Sequence, residues 1–163
     1  KNLKEKEVPY MRRKLGIVFQ DFQLLSDRTI EQNLAFVLRA TGWKDKNLIT
    51  ERVKDVLEKV GLRSKIKKMP HEMSGGEQQR IVIARALLNN PEIILADEPT
   101  GNLDPENSWE IMNLLEKINL QGTTILMATH NSQIVNTLKH RVIAIENGRI
   151  VRDQEEGVYG YDD

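Results

Sequence analysis

The stretch Met73–Arg80, MSGGEQQR, contributes most to the fold prediction. Its two glycines lie at the point where a helix-like segment, IVIARALLNN, begins. Ser74 and Glu77 have the S-x-x-E spacing of a capping box, in which each side chain hydrogen-bonds a backbone N–H of the first helical turn. Gly75 and Gly76 then leave this turn without side chains, so that its amides are open to an anion such as phosphate. A capped helix with a tight entrance and no ligand is the simpler alternative.

The segments after this helix alternate between strand-like and helix-like patterns. Residues 93–98, IILADE, form a continuous apolar run that ends in two acids, as expected of a central parallel strand covered on both faces. Asp104 has the position of an N-cap before the helical pattern PENSWEIMNLLEKI. Residues 123–130, TTILMATH, predict a second buried strand, and the pair Asn147-Gly148 predicts a type I′ hairpin turn.

Two kinds of pattern precede the glycine pair. Residues 8–20 end in the apolar run IVF, which predicts a strand that ends at Gln20. From about residue 21 to residue 73 the apolar spacing is helical. We expect one helix to stop at Gly42 and a second to begin with Thr50 as its N-cap.

Together these patterns predict an α/β fold in which residues 1–20 and 74–163 form a mostly parallel sheet with a C-terminal hairpin and tail, and residues 21–73 form a helical insertion. The 24 basic and 24 acidic residues give a net charge of zero, which argues against a nucleic-acid-binding surface. The absence of cysteine excludes disulfides and thiolate chemistry. No apolar run approaches the roughly 20 residues that span a bilayer, so we expect membrane contact only through a partner.

Several residues with possible chemistry follow the predicted strands. Asp97 and Glu98 end the central strand, at the edge where open α/β sheets bind ligands. An apolar run followed by an acid is the Walker B pattern, whose carboxylate helps hold Mg²⁺ on nucleotide phosphates, and a second carboxylate can polarise water. His130 and Gln20 end other predicted strands and would reach the same edge. Each of these residues alone also fits a strand end in solvent or a structural role.

In their order along the chain, these residues resemble the motifs of the ATP-binding-cassette (ABC) ATPases. VFQDFQLL resembles the Q-loop, MSGGEQQRIVIARAL the signature helix, LADEPTGNLD the Walker B motif and D-loop, and MATHN the switch-histidine segment. Met73 and Glu77 replace the commoner leucine and glutamine of the signature. The segments GIVFQDFQLLSDRTIEQNLAF and LADEPTGNLDPENS are most similar to the branch that acts in cell division, with lipoprotein-release and macrolide-export ATPases as near relatives.

The resemblance implies a P-loop NTPase-like fold and a head-to-tail homodimer that holds two ATP molecules at its interface. Ser74, Gly75 and Gly76 would contact the γ-phosphate of the ATP that the other subunit holds. Glu77 and Gln78 would support that contact.

The same resemblance implies roles in Mg²⁺-dependent ATP hydrolysis. Asp97 would organise Mg²⁺, and Glu98 would be the general base. His130 would stabilise the transferred phosphoryl group, and Gln20 would couple Mg²⁺ and water to the helical insertion. Asp104 would reach across the dimer in the D-loop.

The apolar residues Phe22, Leu24 and Leu25 come soon after Gln20, where a solvated loop would be polar. By resemblance they line a groove for a coupling helix of an integral membrane partner, which would hold the protein at the cytoplasmic face of the membrane. Packing inside the insertion is the alternative explanation. A regulatory scaffold that moves no substrate is a second possible function, whereas a chromosome-associated ATPase would need sustained heptads that this sequence lacks.

One motif of the family does not occur in the sequence. The chain contains no G-x-x-x-x-G-K-[ST] and no Gly-Lys pair. This loop cradles the nucleotide phosphates. We expect it to precede Lys1 in an ATPase of which this chain is an N-terminally truncated form, and we expect the chain alone to bind ATP weakly.

Overall fold

The computed structural model describes residues 7–160. These divide into two compact units, residues 7–128 and residues 129–160. The described part of the first unit contains α1 (Val8–Arg13), β1 (Leu15–Val18), α2 (Ile30–Ala40), α3 (Lys46–Lys59), α4 (Gly75–Leu87), β2 (Ile93–Asp97), α5 (Pro105–Leu120) and β3 (Thr124–Ala128), with 3₁₀ turns at Arg63–Lys65 and Pro70–Glu72. The second contains α6 (Ser132–Leu138), β4 (Val142–Glu146) and β5 (Arg149–Gln154).

The first unit is built on a parallel sheet of three strands in the order β1-β2-β3. β2 is the central strand, as the sequence predicts. β1 ends at Val18, where it pairs with Ala96, so the prediction that this strand ends at Gln20 is wrong by two residues. The physical reason is that the chain turns after Val18, and Gln20 then bonds with the loop at Asn102.

Only one face of this sheet is well buried. Ile94 and Ala96 of β2 are buried, whereas Leu95 of the same strand is 36% exposed and Leu126 of β3 is 57% exposed. The buried face lies against α4. This close approach is seen at Gly16, where a Cβ would lie only 2.9 Å from the backbone carbonyl oxygen of Ala86 in α4. The predictions that β2 is covered on both faces and that TTILMATH is buried are therefore wrong, since an apolar run does not reveal whether a second layer covers it.

The chain between β1 and α4 forms helices and turns. α2 begins with a capping box between Thr29 and Gln32, as its side-chain and backbone bonds show. α3 begins with Asp45, whose Oδ1 accepts the N–H groups of Asn47 and Leu48 at 2.8 and 3.1 Å. The prediction of Thr50 as the N-cap is wrong. Its hydroxyl donates to a carbonyl within the helix instead, because the carboxylate of Asp45 caps the helix one turn earlier.

The second unit contains an antiparallel hairpin of β4 and β5. Its turn residues Asn147 and Gly148 have φ values of +49° and +74°, as the predicted type I′ turn requires. A bidentate ion pair of Arg141 with Asp153 joins the two strands near their open end. Within the described part of the chain, no helix has the length and apolar character needed to cross a membrane.

The one-sided burial of the sheet can be tested with two truncations. We expect Ile94→Ala to lower the free energy of unfolding by about 2–5 kcal/mol, because the fully buried side chain leaves a cavity. Leu126→Ala serves as the matched control and should cost less than about 1 kcal/mol, since most of its side chain already contacts solvent. Urea denaturation measures both values, and equal losses would contradict the one-sided sheet.

Candidate functional site

Two adjacent carboxylates lie at the carboxyl end of the central strand. Asp97 is the last residue of β2, pairs with Ala128 and is exposed. Glu98 follows it and is half-buried. Parallel α/β sheets bind ligands beyond the carboxyl ends of their strands, so both side chains lie at the edge that the sequence predicts for a phosphate site.

The backbone at Glu98 adopts a left-handed conformation, with φ of +44°. A non-glycine residue with this φ is uncommon and persists only where its surroundings hold it. The N–H of Glu98 donates to the carbonyl of Ala128 at 2.9 Å, and its own carbonyl accepts the N–H of Gly101 at 3.0 Å. The predicted general base therefore stands on a turn whose geometry is fixed by hydrogen bonds.

A buried amide of α4 holds the residue after Glu98. Gln79 is 1% exposed, and its Nε2 donates to the carbonyl of Pro99 at 2.7 Å and approaches that of Phe19 at 3.5 Å. Its Oε1 is buried and has no hydrogen-bond partner among residues 7–160. Gln78, which the resemblance predicts to support the signature contact, donates to the carbonyl of Met73 at 3.2 Å. Its supporting role stays a prediction.

Gln79 was not predicted as a site residue, although the sequence contains one signal of its role. The residue lies on the apolar face of α4, in helical register with Val82 and Ile83, both of which are fully buried. A polar side chain on such a face needs a hydrogen-bond partner. Its partners, however, lie in segments whose position only the fold reveals.

Gln20 lies two residues beyond β1 and is exposed. Its Nε2 donates to Oδ1 of Asn102 at 3.4 Å, and Nδ2 of Asn102 donates to its carbonyl at 3.2 Å. The structure therefore brings Gln20 against the loop that follows Glu98, and the residue that joins them, Asn102, was quoted in the D-loop motif without a role.

The signature helix α4 begins as the sequence predicts. The Oγ of Ser74 accepts the N–H of Glu77 at 3.2 Å, and Oε2 of Glu77 accepts the N–H of Ser74 at 2.9 Å. These two bonds form the predicted capping box. The bond from the backbone of Ser74 lowers the pKa of the Glu77 carboxyl, and the ammonium group of Lys65, 3.5 Å away, acts in the same direction.

The two glycines at this helix start are packed against other residues. Gly76 is buried, and a Cβ there would lie 2.1 Å from Oδ1 of Asn107. A Cβ at Gly75 would lie 3.5 Å from Leu103 and 3.8 Å from the ring of Phe22. At Gly76 the start of α5 occupies the space that a side chain would need, so packing also requires this glycine. Contact of this turn with a phosphate stays a prediction.

Asp104 caps α5, as predicted. Its Oδ1 accepts the N–H of Asn107 at 3.0 Å, and its Oδ2 accepts the side-chain amide of the same residue at 2.6 Å. Both bonds lower the pKa of the Asp104 carboxyl. Asn107, which was not predicted as a site residue, thus contacts both Gly76 and Asp104. If Asp104 contacts the other subunit of a dimer, as predicted, it would do so while bonded to Asn107.

His130 belongs to the second unit and is exposed. It follows the last residue of β3 by two positions and directly precedes Asn131, the N-cap of α6, whose Oδ1 accepts the N–H of Ile134 at 3.1 Å. The prediction that it acts on a phosphoryl group stays a prediction.

The three apolar residues after Gln20 differ in exposure. Phe22 and Leu24 are half-buried, whereas Leu25 is 39% exposed. The ring of Phe22 lies beside Gly75, so packing explains part of this residue. We name the segment Phe22–Leu25 the docking segment. Packing accounts for part of it, and its contact with a partner stays a prediction.

The donor set at the sheet edge fits Mg²⁺ bound to a nucleotide. No cluster of three or more metal-ligating side chains occurs among residues 7–160. Mg²⁺ is commonly held by one or two carboxylates, with water and phosphate oxygens as the other ligands. The exposed carboxylate of Asp97 and its neighbour Glu98 match this requirement.

The packing of Gly76 against α5 predicts a coupled pair of substitutions. Gly76→Ala should lower the free energy of unfolding by about 1–3 kcal/mol, because the new methyl group overlaps Asn107. In an Asn107→Ala background, we expect less than half of this loss, since the overlapping atoms are gone. A double-mutant cycle from urea denaturation measures the coupling, and additive losses would show that the two residues do not meet.

The capping box predicts a pH dependence of stability. The folded-state pKa of Glu77 is lowered, so its contribution is present above the unfolded value of about 4.3 and is lost as the pH falls through the lower folded value. The difference in melting temperature between wild type and Glu77→Gln should therefore be largest near pH 6 and should shrink below about pH 4. A constant difference between pH 6 and pH 3 would rule out this role of the carboxylate.

Comparisons with known proteins agree with this geometry. Residues 1–101 match the family described as ABC transporter. The cell division ATP-binding protein FtsE of Streptococcus pneumoniae serotype 2 is 65% identical over 161 residues, which cover 99% of this chain and 70% of that protein. FtsE of Bacillus subtilis strain 168 is 56% identical over 158 residues, which cover 97% and 69%.

Solved structures show the same fold. The dimeric post-hydrolysis state of the ATP-binding cassette MJ0796, bound to ADP and Pi, superposes with a TM-score of 0.78 at 34% identity. The match covers 97% of this chain and 70% of that one. CbiO1 from Clostridium perfringens, part of the ABC transporter complex cbiONQ, has a TM-score of 0.83 at 32% identity, over 95% and 62% of the two chains. The sequence motifs, the parallel sheet and these matches establish that the chain belongs to the ABC transporter family.

Proposed function

We propose that this protein is the ATP-binding and ATP-hydrolysing subunit of a membrane-associated complex in cell division, in which it acts with an FtsX-like integral membrane protein. The observation that carries the proposal is the pair Asp97-Glu98 at the end of the central strand, with Glu98 held in a left-handed turn. The identity of 65% and 56% to two FtsE proteins supports the cell-division branch over its transporter relatives.

The residues at the sheet edge have the chemistry that hydrolysis needs. Asp97 supplies the carboxylate that would hold Mg²⁺ on the ATP phosphates, where the ion neutralises developing charge. Glu98 would accept a hydrogen bond from the attacking water and orient it toward the γ-phosphate. Gln20, which hydrogen-bonds with the loop after Glu98, would contact metal and water. His130 would donate to the transferred phosphoryl group.

A second copy of the chain would complete each ATP site in a head-to-tail homodimer. Ser74 is exposed, and its hydroxyl, together with the first amides of α4 at Gly75 and Gly76, would meet the γ-phosphate of ATP on the other subunit. Glu77 keeps this helix start in place through the capping box. The remaining predicted contacts are those of Gln78 beside the signature and of Asp104 in the D-loop.

The membrane partner would contact the docking segment. Leu25 presents an exposed apolar side chain there, and Phe22 and Leu24 add partly buried apolar surface. This arrangement would place the protein at the cytoplasmic face of the membrane, with its partner making the lipid contact.

The assigned base can be tested in the full-length protein. Glu98→Gln should lower ATP turnover at least about 100-fold, because the amide cannot accept a proton. ATP binding should persist and should produce a stable dimer, visible by size-exclusion chromatography in the presence of ATP.

The matched control is Glu92→Gln, just before the opposite end of β2. Among residues 7–160, its carboxylate forms one exposed ion pair, with Lys14, which contributes little to stability. Turnover of this variant should stay within about twofold of wild type, since the residue lies at the opposite end of the strand. Undiminished phosphate release by Glu98→Gln would show that Glu98 is not the general base and would contradict the proposed ATPase mechanism.

A further inference from the structure

Arg85 is a half-buried side chain of α4 that the proposed mechanism does not use. Its Nη1 donates to the carbonyl of Gln23 at 2.8 Å, and its Nη2 donates to the carbonyl of Phe22 at 3.2 Å. No ion pair found among residues 7–160 involves Arg85, and burial lowers the pKa of its guanidinium group. A cation without a carboxylate partner makes charge-assisted bonds to these carbonyls, which are stronger than bonds between neutral groups.

Both carbonyls belong to the docking segment. Gln23 has a φ of +49°, a left-handed conformation that needs support from its surroundings. Arg85 binds the carbonyl of this residue and of the one before it, so that the unusual turn is held at its centre.

The other end of the docking segment is held by Asn33, which is 4% exposed. Its Oδ1 accepts the N–H of Leu25 at 2.8 Å, and its Nδ2 donates to the carbonyl of the same residue at 3.1 Å. The backbone is thus fixed at both ends, while the side chain of Leu25 remains exposed. A fixed backbone with an exposed apolar side chain is preorganised for binding, because little conformational freedom is lost on contact.

The helix that carries Arg85 also carries the predicted trans contact to ATP. Ser74 and Arg85 lie at opposite ends of α4, which has 13 residues and is therefore roughly 20 Å long. Between them, Gln79 holds the carbonyl of Pro99 next to the predicted base. One rigid helix therefore touches the docking segment, the loop after β2 and the dimer-facing signature.

We propose that Arg85 is a positioning residue for partner binding: it fixes the docking segment on α4, so that contact of the membrane partner with this segment reaches the signature end of the same helix. The inference rests on the proposed function, because it requires the docking segment to contact the partner. Beyond the proposed function, it assigns a role to Arg85. The two hydrogen bonds from Arg85 to the carbonyls of Phe22 and Gln23 connect the docking segment to α4.

The test uses the full-length protein and the detergent-solubilised FtsX-like membrane protein of the same organism. Arg85→Met keeps the apolar stem but cannot hydrogen-bond, and it should weaken affinity for the membrane protein about tenfold or more and abolish the partner-dependent change in ATP turnover. Arg85→Lys should recover affinity to within about threefold of wild type, since an ammonium group still donates to a carbonyl. Leu25→Ser, which removes the exposed apolar contact, should also weaken binding.

Arg12→Met is the matched control. Arg12 is an exposed arginine of α1, and its side chain has no hydrogen bond among the described residues. The affinity of the Arg12→Met variant for the membrane protein should therefore equal that of wild type. Rescue by lysine separates the proposed hydrogen bonds from simple packing, because methionine and lysine have similar stems. If Arg85→Met fails to fold, Arg85→Leu replaces it, since leucine also has no hydrogen-bond donor. Equal affinities of the leucine and lysine variants would overturn the proposal.

The outcomes distinguish this inference from the function on which it rests. Wild-type affinity in both Leu25→Ser and Arg85→Met would show that the partner binds elsewhere, so the partner assignment itself would fail. Weak binding by Leu25→Ser with wild-type binding by Arg85→Met would overturn the role of Arg85 alone. Weak binding by Arg85→Met with wild-type binding by Leu25→Ser would also overturn it, because Arg85 would not act through the docking segment.

Discussion

The arrangement of the candidate site depends on the buried amide of Gln79. Its Nε2 binds the carbonyl of Pro99, one residue after Glu98, and lies near the carbonyl of Phe19, one residue before Gln20. A buried amide is costly when its donors are left without acceptors. The side chain therefore constrains α4, the turn at the predicted base and the start of the Q-loop segment to one mutual arrangement.

Helix α4 receives support at both ends as well as at its middle. Gly76 packs against α5 at its start, and the guanidinium group of Arg52 from α3 donates to the carbonyls of Leu87 and Leu88 at its end. The last carbonyls of a helix have no partner within it, so this contact satisfies them and joins α3 to α4. Exposed ion pairs such as Lys14 with Glu92 contribute far less, because solvent screens both charges.

Local signals in the sequence predicted the element starts that depend on near neighbours. The capping box at Ser74, the cap at Asp104 and the turn at Asn147-Gly148 all involve contacts between residues a few positions apart. Prediction failed where two local signals competed, as for Thr50 and the better-placed carboxylate of Asp45. It also failed for the coverage of the sheet, since an apolar strand has the same sequence pattern whether one or both of its faces are packed.

The sequence by itself determined the family and the identity of its predicted site residues, because ordered motifs and short-range caps are written in consecutive residues. Only the tertiary structure decided which of these residues meet. Gln79 is 20 positions from Pro99, Arg85 is 62 positions from Gln23, and Gly76 fits against Asn107 of another helix. Such contacts follow from how helices pack on a sheet. Periodicity and spacing along the chain do not reveal which distant residues this packing brings together.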